Sequence, residues 1–154
     1  MRVYIESTIP SYLVARPARD LIQAARQQLT RDWWDFKREG HELFISQVVL
    51  DEIAFGDQAM ARERLELVQS VPLLGLTEGA EVFAQRILDS GLLPPQADRD
   101  AAHIALATVH QMDLLLSWNC RHIANAAIQL RLRRLADAAS YTLPVICTPE
   151  ELME

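Results

Sequence analysis

The chain has 154 residues, half of them hydrophobic and 23% charged, with a formal net charge of −6. That length fits one globular domain over residues 1–154, and a chain of this size buries roughly 70% of its unfolded surface without disulfides or metals. The balance excludes whole-chain disorder, collagen and coiled coil, and no apolar run reaches the roughly 18 residues of a membrane span. The opening MRVYIEST carries one Arg and a short apolar stretch that ends at Glu6, which does not fit a signal peptide. Cys120 and Cys147 are too few for a disulfide framework and are expected to be reduced thiols in a cytoplasmic protein. The acidic balance speaks against a general nucleic-acid binder. Acids gathered in one site can nevertheless hold a metal, and the metal can meet phosphate. Among the basic residues only Lys37 is a lysine. Arginine is the better side chain for bidentate contact with phosphate.

Taken in chain order, Arg2–Ile5 is short, apolar and β-rich and leads to Glu6. Leu21–Glu39 reads as a long helix with Ile22, Ala25, Leu29, Trp33 and Phe36 at helical spacing, closed by Gly40 as a C-cap residue. Adjacent Trp33 and Trp34 point about 100° apart on a helix, so they are not both expected in the core: one lies at an interface or is only partly covered. Leu43–Ile45 is a second strand, and Ser46 caps a helix carrying Val48, Val49, Glu52 and Ile53. Gly56 stops that helix, and Asp57 caps the next, which runs to about residue 69. Pro72–Leu76 is a third strand. Glu78–Ser90 is amphipathic, with Ala80, Phe83, Ala84, Ile87 and Leu88 on one face, and Gly91 follows. Pro94 and Pro95 introduce an alanine-rich helix over about 96–111. Leu114–Trp118 is a strand, Ile123–Ala138 a helix, Pro144–Cys147 the last strand, and Thr148 caps a short terminal helix.

Strands alternating with helices predict an α/β domain with a mostly parallel sheet. Ligands in such sheets bind beyond the carboxyl ends of the strands. Four polar residues stand there: Glu6 after the first strand, Glu52 in the helix after the second, Asp100 at the start of the alanine-rich helix and Asn119 after Leu114–Trp118. Three carboxylates and an amide are hard oxygen donors suited to Mg²⁺ or Mn²⁺. His103, His110, Cys120 and His122 match no strong zinc spacing, and His103 is expected to pack or to bond a site residue. Arg131, Arg133 and Arg134 form a basic cluster, ordinarily a solvated face, that could guide RNA.

The opening VYIESTIPSYL, the segment ISQVVLDEIAFGD, the stretch LPPQADRDAAHIALATVHQMDLLLSWNCRHIANA and the closing PVICTPEEL together resemble the PIN-domain family, most closely its VapC-type toxin branch. The resemblance covers nearly the whole chain. It implies a three-layer α/β/α sandwich and a Mg²⁺- or Mn²⁺-dependent ribonuclease, the toxin of a type II toxin–antitoxin system. It assigns Glu6, Glu52, Asp100 and Asn119 to catalysis and the first three to the metal. The family usually places Asp at the positions of Glu6 and Asn119, so this chain has one longer acid and one charge fewer. Thr8 matches a small polar residue near the metal, and Ser46 and Arg121 are further candidates for holding the site or the phosphate. RNA, an antitoxin and a second copy of the chain are the implied partners. Two rival readings stand beside this one. A PIN-like module could bind RNA or protein without cutting it. A phosphatase would need a lysine near its nucleophile, which the lone Lys37 does not supply.

Overall fold

A computed structural model describes all residues, Met1–Glu154. Five strands form one sheet: β1 (Arg2–Ile5), β2 (Glu42–Ser46), β3 (Leu73–Leu74), β4 (Leu114–Leu116) and β5 (Val145–Cys147). All pairings are parallel, in the order β3-β2-β1-β4-β5. In register, Tyr4 lies opposite Phe44 on one side and Leu115 on the other. A central strand of a parallel sheet is covered on both faces, so it reads as an unbroken apolar run. Leu114, Leu115 and Leu116 are accordingly all buried, as are Val3, Tyr4 and Ile5.

The helices are α1 (Thr8–Val14), α2 (Leu21–Phe36), α3 (Gln47–Ile53), α4 (Gln58–Val68), α5 (Glu78–Asp89), α6 (Asp98–Val109) and α7 (Ala126–Ala138). Right-handed crossovers put α1–α4 on one face of the sheet and α5–α7 on the other. The packing agrees, with α1 against α2 and α4, and α5 against α6 and α7. The result is the expected three-layer α/β/α sandwich. From β1 the chain steps outward to β2 and β3, then returns to β4 on the far side of β1. The direction of winding therefore reverses between β1 and β4, the place in such sheets where ligands bind. No helix is long and apolar enough to cross a membrane.

Several boundaries differ from expectation. Helix α1 is an element that the patterning of the sequence does not mark. Pro10 sits in the first turn, where a backbone N–H has no helical partner to lose. Helix α2 ends at Phe36, and Arg38–Gly40 forms a separate 3-10 turn, so Gly40 is not a C-cap. Strand β3 is two residues and β4 three, while α6 starts at Asp98 and α7 at Ala126, where Asn125 accepts from the Ala127 N–H. After β5 the chain makes one 3-10 turn, Pro149–Leu152, with Glu151 accepting from the Thr148 N–H. Gly56 and Gly91, which follow α3 and α5, do adopt the left-handed φ of +93° and +75°.

The largest correction concerns α2. Its buried residues are Gln27, Thr30, Trp33 and Trp34, whereas Leu21, Ile22 and Phe36 are exposed. Gln27 is satisfied by the Arg16 carbonyl and the Ala18 N–H, and Thr30 accepts the Trp118 indole N–H. Polar residues thus face inward because the preceding loop and β4's exit supply their partners. Contrary to expectation, both tryptophans are buried. Trp33 stacks on His41 with ring centroids 6.1 Å apart, and the Arg38 guanidinium lies 4.6 Å over the Trp34 ring.

Candidate metal centre

The chain leaves β1 at Glu6, at the reversal point of the sheet, and the side chain is buried to 3% exposure. Its Oε2 accepts from the Thr8 hydroxyl (2.6 Å), the Thr8 N–H (3.2 Å) and the Ser117 hydroxyl (2.7 Å). The two hydroxyls also accept, Thr8 Oγ1 from the Trp118 N–H (2.8 Å) and Ser117 Oγ from the Asn119 N–H (2.9 Å). Each hydroxyl therefore ties the carboxylate to the backbone leaving β4.

Glu52 comes from α3, whose first turn is capped by the Ser46 hydroxyl. Glu52 Oε1 accepts from the Ser7 hydroxyl (2.7 Å) and from His103 Nε2 (2.5 Å). Burial pushes the Glu52 carboxyl up. The hydrogen bond from His103, the Ser7 bond and the charge of Arg99 outweigh it and leave the group below its ordinary value. Glu6, Glu52 and His103 offer ligand atoms that all lie within 4.8 Å of one another. His103 is fully buried, with Nε2 spent on Glu52 and Nδ1 on the Tyr4 hydroxyl (2.7 Å). The remaining oxygens, Glu6 Oε1 and Glu52 Oε2, take no protein donor. Two braced carboxylates with one open oxygen each fit a hard divalent cation such as Mg²⁺ or Mn²⁺.

Asp100 stands outside that group. Its Oδ1 accepts from the Asn119 amide (3.2 Å), and its Oδ2 bonds His122 Nδ1 (2.8 Å). Asn119 Oδ1 accepts the backbone N–H of Arg121 (3.3 Å) and of His122 (3.0 Å). The amide thus does what a carboxylate in its place could not, donating to Asp100 while accepting from the turn. Asn119 also links the two clusters, since its own N–H runs through Ser117 to Glu6.

The weaker candidates resolve differently. Ser46 is 1% exposed and bonds the Tyr4 hydroxyl at 2.7 Å, so it supports the site from within and is not open to a phosphate. Thr8 holds Glu6. Arg121 engages only through its backbone, and its side chain is exposed. His110 bonds the Gly75 carbonyl, Cys120 is exposed, and the four His and Cys residues form no joint cluster. Ser7, Ser117 and Tyr4 escape the sequence reading. Their signal is the pair of hydroxyl residues around Glu6 in Glu-Ser-Thr and the Ser of Ser-Trp-Asn beyond β4, at two adjacent strand ends.

No protein-family model and no curated protein matches the chain. Among solved structures, it is similar to a chain of VapBC2 from Rickettsia felis, solved bound to a DNA fragment from their promoter. The TM-score is 0.61 at 9% identity, covering 96% of this chain and 98% of that one. At that identity the likeness is one of fold, and it extends over the whole α/β/α sandwich.

Proposed function

We propose that the chain is a divalent-metal-dependent endoribonuclease of the PIN type and the toxin half of a cytoplasmic type II toxin–antitoxin pair. The observation that carries this reading is the meeting of Glu6 and Glu52 at the reversal point of the sheet, each with one oxygen braced and one open. The whole-length fold likeness to a VapBC2 chain supports it. Glu6 and Glu52 would hold Mg²⁺ or Mn²⁺. When bound, such an ion supplies charge neutralisation at an RNA phosphodiester and a water acidified toward neutral pH.

The chain's own residues supply orientation. Thr8 and Ser117 fix Glu6, while Ser7 and His103 fix Glu52. Asp100, held by Asn119 and His122, is joined to the pair only through Asn119 and Ser117. Arg121, Arg131, Arg133 and Arg134 are all exposed and free to meet the RNA backbone. The outward stripe of Leu21, Ile22 and Ala25 on α2 supports a protein partner, an antitoxin or a second copy.

The test is incubation of the full chain with total cellular RNA and Mn²⁺, beside Glu52→Gln. Cleavage by the wild type that the variant loses supports the reading. Absence of cleavage with retained RNA binding would hand the function to the binding module, a reading favoured by the occupation of both Asp100 oxygens within the protein.

A further inference from the structure

Glu52 is braced by a line of groups that starts on its own helix and passes through β2, β1 and α6. The Val49 N–H points to Ser46 Oγ (3.4 Å), Ser46 Oγ meets the Tyr4 hydroxyl (2.7 Å), the Tyr4 hydroxyl meets His103 Nδ1 (2.7 Å), and His103 Nε2 meets Glu52 Oε1. Tyr4 and His103 are fully buried and Ser46 nearly so, which leaves no solvent to absorb a stray donor.

Counting protons gives the line one direction. The carboxylate only accepts, so His103 Nε2 carries a hydrogen. Ser46 has one hydroxyl hydrogen, already accepts from Val49, and finds its acceptor in Tyr4. The Tyr4 hydrogen then goes to His103 Nδ1. In this arrangement the backbone amide, both hydroxyls and the ring N–H each have a partner. Reversing the Tyr4–His103 bond would leave the buried Ser46 hydrogen without an acceptor.

We propose that Tyr4 and His103 are positioning residues that fix the Glu52 carboxylate for a divalent cation. The inference rests on the metal reading above and deepens it. Tyr4 sets the ring tautomer, the tautomer places a hydrogen on Nε2, and that hydrogen with the Ser7 hydroxyl pins Oε1, leaving Oε2 as the open ligand atom. Tyr4 and His103 touch no substrate. They act through Glu52, as partners that orient metal ligands do.

The experiment has two parts on the full chain. Nitrogen-15 NMR of the His103 ring in the wild type is expected to show the Nε2–H tautomer, and an Nδ1–H tautomer would overturn the proposal without any variant. Calorimetric titration with Mn²⁺ then compares the wild type with Tyr4→Phe, His103→Leu and His103→Gln, each checked by metal-free thermal melting. Tyr4→Phe and His103→Leu are expected to bind roughly 10–100-fold more weakly. His103→Gln, whose amide N–H can still reach Glu52, is expected to recover part of the loss. Equal Mn²⁺ affinity in the wild type and all three variants would overturn the inference alone. Absence of Mn²⁺ binding by the wild type would overturn the metal reading and this inference with it.

Discussion

Replacing Ser117 by alanine removes one hydroxyl and breaks two bonds. The hydroxyl donates to Glu6 Oε2 at 2.7 Å and accepts the Asn119 N–H at 2.9 Å, and the residue is fully buried. A hydrogen bond to a charged group contributes about 1.5–3 kcal/mol, and a buried N–H left without a partner costs a further ~1 kcal/mol or more. Two features hold the total down. Glu6 keeps both donors from Thr8, and Asn119 is only half-buried, so water can reach its freed N–H. The expected loss is therefore about 2–4 kcal/mol in metal-free protein. At about 2.1 cal/mol/K of unfolding entropy per residue, a chain of this length loses roughly 3 °C of Tm per kcal/mol, giving about 6–12 °C. Thermal melting and urea unfolding of wild type and Ser117→Ala in the presence of EDTA measure it. A Tm change below about 2 °C, on the same scale of roughly 3 °C per kcal/mol, would show that the Ser117–Glu6 bond does not hold the buried carboxylate and that the bracing argument is wrong.

Two further outcomes rest on the same network and a third on the burial of Cys147. Glu52 titrates below its ordinary value of 4.5 in the folded chain, so it contributes stability above that value and loses it as pH falls through the folded value. Glu52→Gln should therefore be less stable at pH 7, with the two stability curves converging below about pH 4.5, and a gap that stays constant with pH would refute the shift. Asn119→Asp exchanges a donor to Asp100 for a like charge at the 3.2 Å contact, so metal-free melting should fall by about 1–3 kcal/mol equivalent and the stabilisation by Mn²⁺ should grow. Unchanged melting would mean that the Asn119–Asp100 bond is idle. Burial and the charge of Glu151 push the Cys147 thiol up to about 12, whereas Cys120 is exposed, so a thiol reagent at pH 8 should titrate one group in native protein and two in urea.

The positions of Glu6 and Glu52 are legible because each follows from a local rule. A carboxylate one residue past an apolar strand, or about one and a half turns into the helix that leaves a strand, stands near a strand's carboxyl end. The groups that brace them are not legible in the same way. Ser7 reaches Glu52 across 45 positions, Ser117 reaches Glu6 across 111, and His122 meets Asp100 across 22. Only the strand order, with β2 on one side of β1 and β4 on the other, makes those pairs neighbours. Helix α2 fails in the complementary way. Its period is correct, but an apolar stripe does not say which face is inward when buried Gln27 and Thr30 find partners in a loop and in Trp118.

The bracing groups escape local rules because the site is held by hydroxyls that serve two strands at once. Thr8 and Ser117 each donate to Glu6 and accept a backbone N–H from the residues leaving β4. The placement of the carboxylate is therefore coupled to the pairing of Ile5 with Leu116. A slip of that register by one residue would turn alternate side chains to the other face and strip Glu6 of its Ser117 donor together with the Asn119 link to Asp100. The short β1 and β4, four and three residues long, are thus fixed at their ends by polar bonds as well as by the apolar core between them. That coupling explains why a carboxylate buried to 3% exposure is tolerated at the centre of this sheet: the bonds that satisfy it also specify the sheet.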